Sequence, residues 1–252
     1  MEKMRNFAKS VLDLLFPEHA VCMGCEDQAG TDDGWLCEEC AEKLRALSMM
    51  ETGVCPRCGQ ELKPGSGCLN CADWPDDGVL KARYCYGYAE PVDRAVRKMK
   101  YAGVYRMADW MGEEIAALVE RGDFGSVDLL VPVPMHPARL RDRGRNHALC
   151  IAQALSRETG VPVWTGLVRT RNTRQQARLS GQVRKAAVSG AFSVREDSRT
   201  ISGKRLLLID DVITTGATVN SCARELYANG AQSVCAASFA GHMSARQNTD
   251  TE

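Results

Sequence analysis

The sequence predicts an α/β protein, a mostly parallel sheet covered by helices and preceded by a small cysteine-rich module. Three observations carry this expectation. Four C-x-x-C pairs are packed between Cys22 and Cys71. From Val79 onward, short apolar runs alternate with amphipathic stretches, the pattern of strands alternating with helices. One apolar run, "LLLIDDVITTGAT" from Leu206 to Thr218, ends in two adjacent carboxylates and a loop of small and hydroxylated residues.

The length of 252 residues allows one large domain or two unequal ones. A content of 44% hydrophobic and 25% charged residues is that of a globular chain able to bury a core. The net charge is zero, so the total predicts neither a nucleic-acid nor a membrane partner. The distribution is more informative. Acids dominate from Glu26 to Glu51, where Lys43 and Arg45 are the only bases. From Val168 to Val194 there are only bases, Arg169, Arg171, Arg174, Arg178, Arg184 and Lys185. That asymmetry points to an anionic ligand on the C-terminal half, although a solvated basic face gives the same pattern.

Residues 1–17 place Met4, Phe7, Val11, Leu14 and Leu15 on one helical face interrupted by Lys9 and Asp13, as in a docking or core helix and unlike a signal peptide. No apolar stretch approaches bilayer length. The expected location is cytoplasmic, without membrane insertion.

Cys22 and Cys25, Cys37 and Cys40, Cys55 and Cys58, and Cys68 and Cys71 form the four pairs. This spacing lets two thiolates on one tight turn bind the same tetrahedral metal, and a second turn completes the shell. The groups Cys22–Cys40 and Cys55–Cys71 each suit one zinc ribbon, giving a double ribbon over residues 18–76. Disulfides need an oxidising compartment, and redox C-x-x-C pairs usually occur singly. Two structural Zn²⁺ ions are therefore expected, with no open position for catalysis. Sequential pairing is the simplest assignment; exchange of knuckles between sites is the alternative. Cys85, Cys150, Cys222 and Cys235 sit in apolar surroundings as small core residues.

"ADWPDDG", Ala72 to Gly78, reads as a linker. The α/β domain is expected over residues 79–243. Its elements are a strand in "ARYCYGYAE", helices in "PVDRAVRKMKYAG" and "VYRMADWMGEEIAALVERG", and a short buried strand in "VDLLVPVP". A helix follows in "NHALCIAQALSRETG", then a strand in "KRLLLID", a helix in "ATVNSCARELYANG" and a last strand in "AQSVCAASFAG". Residues 244–252 read as a disordered tail.

Ligands of open α/β sheets collect beyond the carboxyl ends of strands, where Asp210 and Asp211 are expected. Backbone N–H groups at the following helix start, with Gly216 allowing close approach, form a phosphate cradle. Thr214, Thr215 and Thr218 add hydroxyl donors. A polyol such as ribose, or a divalent cation, suits the carboxylates.

This stretch resembles the motif of type I phosphoribosyltransferases, which bind 5-phosphoribosyl-1-pyrophosphate (PRPP). The resemblance implies that Asp210 and Asp211 take the ribose, and that Thr214, Thr215, Gly216, Ala217 and Thr218 take the 5-phosphate. It extends further. The order of cysteine pairs, "AVRKMKYAG", "VPVPMHPARLRDRGRNHA", "TRNTRQQARL" and the PRPP motif is similar to the ComF family of competence-associated proteins, over nearly the whole chain. That family joins a double zinc ribbon to a phosphoribosyltransferase-like domain. Here "RGRNH", Arg143 to His147, stands where the family usually has RGFNQ, and Ala187 where members often carry Asn.

The resemblance also places "PMHPARLRDRGRN" at the pyrophosphate loop, where Arg139 and Arg143 are the favoured phosphate donors. His136 either contacts pyrophosphate or shapes the turn. Arg174, Gln175 and Arg184 fall in a loop that closes over substrate, with Arg174 counted among the catalytic candidates beside Asp210 and Asp211. Lys100 either approaches the phosphates or is a surface lysine. Thr214 replaces the acid of purine-salvage enzymes, which argues against a purine acceptor. The implied function is Mg²⁺-dependent phosphoribosyl transfer to an unidentified acceptor, with pyrophosphate released, in the context of DNA uptake. The alternatives are a PRPP sensor without turnover and an adaptor contacting single-stranded DNA or competence-machinery proteins, for which Trp35 and Trp74 are the only stacking candidates near the ribbons.

Overall fold

A computed structural model describes residues 22–26, 35–49, 53–62, 65, 67–101, 106–171, 190–195 and 198–241. The expected N-terminal helix, the C-terminal tail, Arg174, Gln175, Arg184 and Ala187 lie outside these residues.

The core is a four-stranded, all-parallel sheet. Its strands are β1 (Ala82–Gly87), β2 (Leu129–Pro132), β5 (Arg205–Ile213) and β6 (Ser233–Gly241), in the order β1-β6-β5-β2. All carboxyl ends therefore lie at one edge. The helices are α1 (Glu38–Ala46), α2 (Val92–Tyr101), α3 (Met107–Glu120), α4 (Pro137–Arg143), α5 (His147–Thr159) and α6 (Ala217–Ala228). Two short strands, β3 (Leu167–Arg169) and β4 (Phe192–Val194), pair antiparallel and bracket residues 172–189.

β5 shows why the sheet must be covered on both faces. Its side chains alternate, and both sets are buried. Leu207 and Ile209 join a cluster with α2, α3 and α5, including Met99, Trp110, Ile115 and Leu155. Leu206 and Leu208 join another with α6, including Val219, Cys222 and Leu226. Phe239 on β6 anchors the first cluster, edge-on to Tyr86 and Trp110 at 5.3 and 4.9 Å between centroids. Helices α3 and α5 cross closely because Gly112 has no side chain; a Cβ there would lie 2.4 Å from Ala154 Cβ.

The cysteine-rich module is built into these clusters. Cys22, Leu36, Cys40 and Leu44 pack with the first, and Cys55, Cys58, Cys71 and Trp74 with the second. The segment read as a linker is likewise packed down. Trp74, Gly78 and Val79 are buried, Asp77 pairs with Arg224 at 2.8 Å, and the Val79 N–H donates to Asn220 Oδ1 at 2.9 Å.

Two further differences from the sequence expectation stand out. The segment after β2 is not all loop, since α4 interrupts it. β5 also runs through both aspartates to Ile213 instead of stopping at Asp210.

Candidate functional site

Asp210 and Asp211 sit in the last turn of ladder that β5 shares with β6, where Asp210 is opposite Ser238 and Val212 opposite Ala240. Strand alternation sends them to different faces. Asp210 is on the α6 side and lines one pocket with the run 212–219. Asp211, 9% exposed, is on the α2 side, where Lys100 Nζ donates to its Oδ1 at 2.7 Å. Asp210 Oδ1 accepts the Asp211 N–H at 2.9 Å. Burial, and next the Asp211 charge, push the Asp210 carboxyl up to about 7, against the lowering pull of Lys100 and Arg169.

The loop after β5 turns at Gly216, the N-cap of α6, with φ 75° and ψ −2°. This left-handed conformation favours glycine. Thr214 and Thr215 are exposed, Ala217 and Thr218 half-buried, and Gly216 buried. The first N–H groups of α6 have no partner within the helix and face the position where an anion is most stabilised. Gly216 is also needed for space. A Cβ there would fall 2.3 Å from Trp74 Cζ2, and the Trp74 indole N–H donates to Thr215 O at 2.9 Å.

Helices α2 and α4 end near the acid pair. Tyr101, next to Lys100, lies under Arg143, whose guanidinium carbon is 4.8 Å from the ring centroid and whose Nη2 donates to Tyr101 Oη at 3.2 Å. Arg139 is on the same short helix. His136 shapes the turn, because its Nδ1 accepts the Ala138 N–H at 3.2 Å as the N-cap of α4. His147, at the first position of α5, is 1% exposed. Burial lowers its pKa, with Arg143 and Lys100 adding to the lowering and Asp211 opposing it.

The cysteines gather in the sequential pairing. The sulfurs of Cys22, Cys25, Cys37 and Cys40 lie within 4.8 Å of one another, as do those of Cys55, Cys58, Cys68 and Cys71. Cys25 and Cys37 are 3.7 Å apart, Cys55 and Cys71 3.6 Å, and Cys58 and Cys68 3.4 Å. Tetrahedral Zn–S bonds of about 2.3 Å set S···S edges of about 3.8 Å, whereas a disulfide needs about 2.05 Å. Both clusters thus have the shape of zinc sites. Burial works against ionisation of Cys22, but N–H groups of Cys37, Cys25 and Gly24 outweigh it and bring the thiol down to about 6.

Sequence reasoning missed three residues of this site. Trp74 was visible only as a ribbon aromatic; it is 7% exposed and supports the loop, so it is not a platform for stacking bases. Arg169 was one base in a run, and only its place on β3 brings its charge to bear on Asp210. His147 was visible as a departure from RGFNQ, without a hint of its burial.

No helix among the described residues is long and apolar enough to cross a membrane. Comparison with known proteins agrees with the two-part architecture. A family model described as a double zinc ribbon domain matches residues 11–72, and one described as a phosphoribosyl transferase domain matches residues 145–252. The chain is 26% identical over 227 residues to Competence protein F of Haemophilus influenzae, covering 84% of this chain and 93% of that protein. It is 26% identical over 227 residues to Competence protein ComFC of Bacillus subtilis, with 83% and 90% covered. It is 27% identical over 221 residues to DNA utilization protein YhgH of Salmonella typhimurium, with 85% and 93% covered. The chain thus joins a double zinc ribbon to a phosphoribosyltransferase domain, and along most of its length it is similar to proteins named for competence and for DNA utilization.

Proposed function

We propose that the protein binds PRPP with Mg²⁺ and transfers its phosphoribosyl group to an acceptor, releasing pyrophosphate, in the cytoplasm of a cell that takes up or uses DNA. The observation that carries this reading is a pocket lined jointly by Asp210 and the Gly216-capped loop. Thr214, Thr215, Gly216, Ala217 and Thr218 hold the 5-phosphate. Asp210, with Asp211 beside it, accepts the ribose hydroxyls. Arg139 and Arg143 donate to the pyrophosphate, and Arg174, Gln175 and Arg184 are further candidate contacts for it. Lys100, already on Asp211, holds the acid pair against its own repulsion.

In the reaction a nucleophile of the acceptor bonds to ribose C1 while the C1–O bond to pyrophosphate breaks, its electron pair leaving on oxygen. Positive charge grows on the sugar beside the carboxylates, and negative charge grows near the arginines, so a fixed electrostatic field favours the transition state. The oxygen donors of Asp210 and Asp211 fit a hard divalent cation. Bound Mg²⁺ would supply further neutralisation of the phosphates. The two cysteine clusters hold structural zinc. The DNA context rests on relatives named for competence and DNA utilization.

Pyrophosphate release from PRPP and Mg²⁺, measured across a panel of nitrogen nucleophiles, tests turnover. Release above the spontaneous rate, lost in Asp210→Asn/Asp211→Asn, is expected. Tight PRPP binding with no release by any acceptor would assign a sensor instead.

A further inference from the structure

The cysteine-rich module does more than sit beside the candidate site. Its second cluster is wired into the loop. Trp74 lies three residues beyond the ligand Cys71, and its N–H donates to Cys71 O at 3.1 Å. Arg57, between Cys55 and Cys58 on the opposite knuckle, donates from Nη2 to Pro75 O at 2.7 Å. It also donates from Nη1 to Trp74 O at 3.4 Å, and its guanidinium carbon lies 5.8 Å from the indole centroid. Both knuckles therefore fix the backbone that presents Trp74. The side chain then reaches across 141 residues of sequence to bond Thr215 O and to lie against Gly216. Beyond it, Asp77 and Val79 are clamped to Arg224 and Asn220 of α6.

The first cluster packs with the core on the opposite face of the sheet. It meets α2, where Lys98 Nζ donates to Met23 O at 3.1 Å and pairs with Glu26 at 3.2 Å. The two clusters are alike in sulfur geometry and unlike in what they hold.

From this asymmetry we propose that Trp74 is a positioning residue of the phosphate loop, and that metal occupancy of the Cys55–Cys71 cluster sets the loop's shape through it. The proposal rests on reading that loop as the phosphate cradle. With the cluster loaded, the knuckles hold Trp74 under Gly216, and Gly216 in turn starts α6 with its N–H groups aimed at the ligand. With the cluster empty, four thiols no longer share a partner, the knuckles part, and the floor of the loop goes with them. A loop whose floor is lost pays ordering entropy on binding anion, so affinity falls without any change in the residues that touch it. Chelation of the metal from this cluster then lowers affinity for the anion.

Hydrogen exchange on the full chain tests this without any ligand. The Asn220 amide donates to Gly216 O at 2.9 Å and reports on the start of α6. In Trp74→Phe, which keeps most of the ring but loses the indole N–H, that amide is expected to exchange about tenfold faster. The amides of Leu206–Ile209 should be unchanged, with both clusters still loaded by metal analysis. Cys68→Ser is expected to do the same, and Cys25→Ser to leave Asn220 protected. If Cys68→Ser also exposes Leu206–Ile209, the Trp74→Phe result decides. Unchanged Asn220 protection in Trp74→Phe, or equal loss in Cys25→Ser, would overturn the proposal. PRPP titration is read separately. In a wild type that binds, Trp74→Phe should raise Kd about tenfold. A wild type that does not bind removes the PRPP reading and leaves the exchange result standing.

Discussion

Asp210→Asn is expected to stabilise the unliganded protein at pH 8 while abolishing its affinity for PRPP. The Asp210 carboxyl is pushed up to about 7 by burial and by the neighbouring Asp211 charge, so the folded chain favours its protonated form. The stability so favoured is complete below the unfolded value of about 3.9 and is lost as pH rises through about 7. At pH 8 the carboxylate is charged, buried and beside a like charge. An amide of the same shape removes that cost and keeps the Oδ1 that accepts the Asp211 N–H. The gain is about 1–2 kcal/mol, discounted for the part of the side chain that reaches solvent. That corresponds to a rise in Tm of roughly 3–6 °C. Urea titrations at pH 8 and pH 5 should show the gain at the higher pH and little at the lower. Equal destabilisation at both would contradict the assigned charge cost. Such a cost is the mark of a group kept for its ligand and not for its fold.

Gly216→Ala carries the second large effect. The new Cβ would sit 2.3 Å from Trp74 Cζ2 and 2.8 Å from Nε1, at a φ of 75° that L residues adopt at a cost. Either the indole leaves and gives up its bond to Thr215 O, or the loop shifts away from it. Overpacking and backbone strain together should cost about 2–4 kcal/mol in denaturant unfolding. PRPP affinity should fall at least ~100-fold, because cradle geometry is what the residue supplies. Adding Trp74→Ala relieves the steric part but not the backbone strain, so the two changes should be less than additive. Full additivity would mean that Gly216 and Trp74 do not act on one another.

Much of this was legible in the chain because the pattern and the physics coincide. A run such as Leu206–Ile209 is apolar on both sides, which a strand covered on both faces requires. Four pairs of cysteines at knuckle spacing leave few geometries open, and the sequential pairing followed from proximity along the chain. What escaped was either short or distant. Helix α4 is seven residues with none buried, so it has no apolar periodicity to read. Strands β3 and β4 are three residues each and find one another across residues 172–189. Trp74 sits in a Pro- and Asp-rich stretch that reads as a linker by composition, and its partner, Thr215, is in another domain of the sequence. Lys100 is a similar case. Its motif pointed to phosphates, while the folded chain places it on Asp211.

In the proposed function, Asp210, Asp211 and the loop to Thr218 form one PRPP site. Calorimetric titration of PRPP with Mg²⁺ into zinc-loaded wild type and into Asp210→Asn/Asp211→Asn tests it most directly. Saturable binding to the wild type, absent from the folded double variant, is the predicted result. No binding to folded, zinc-loaded wild type, or equal binding to both proteins, would contradict it.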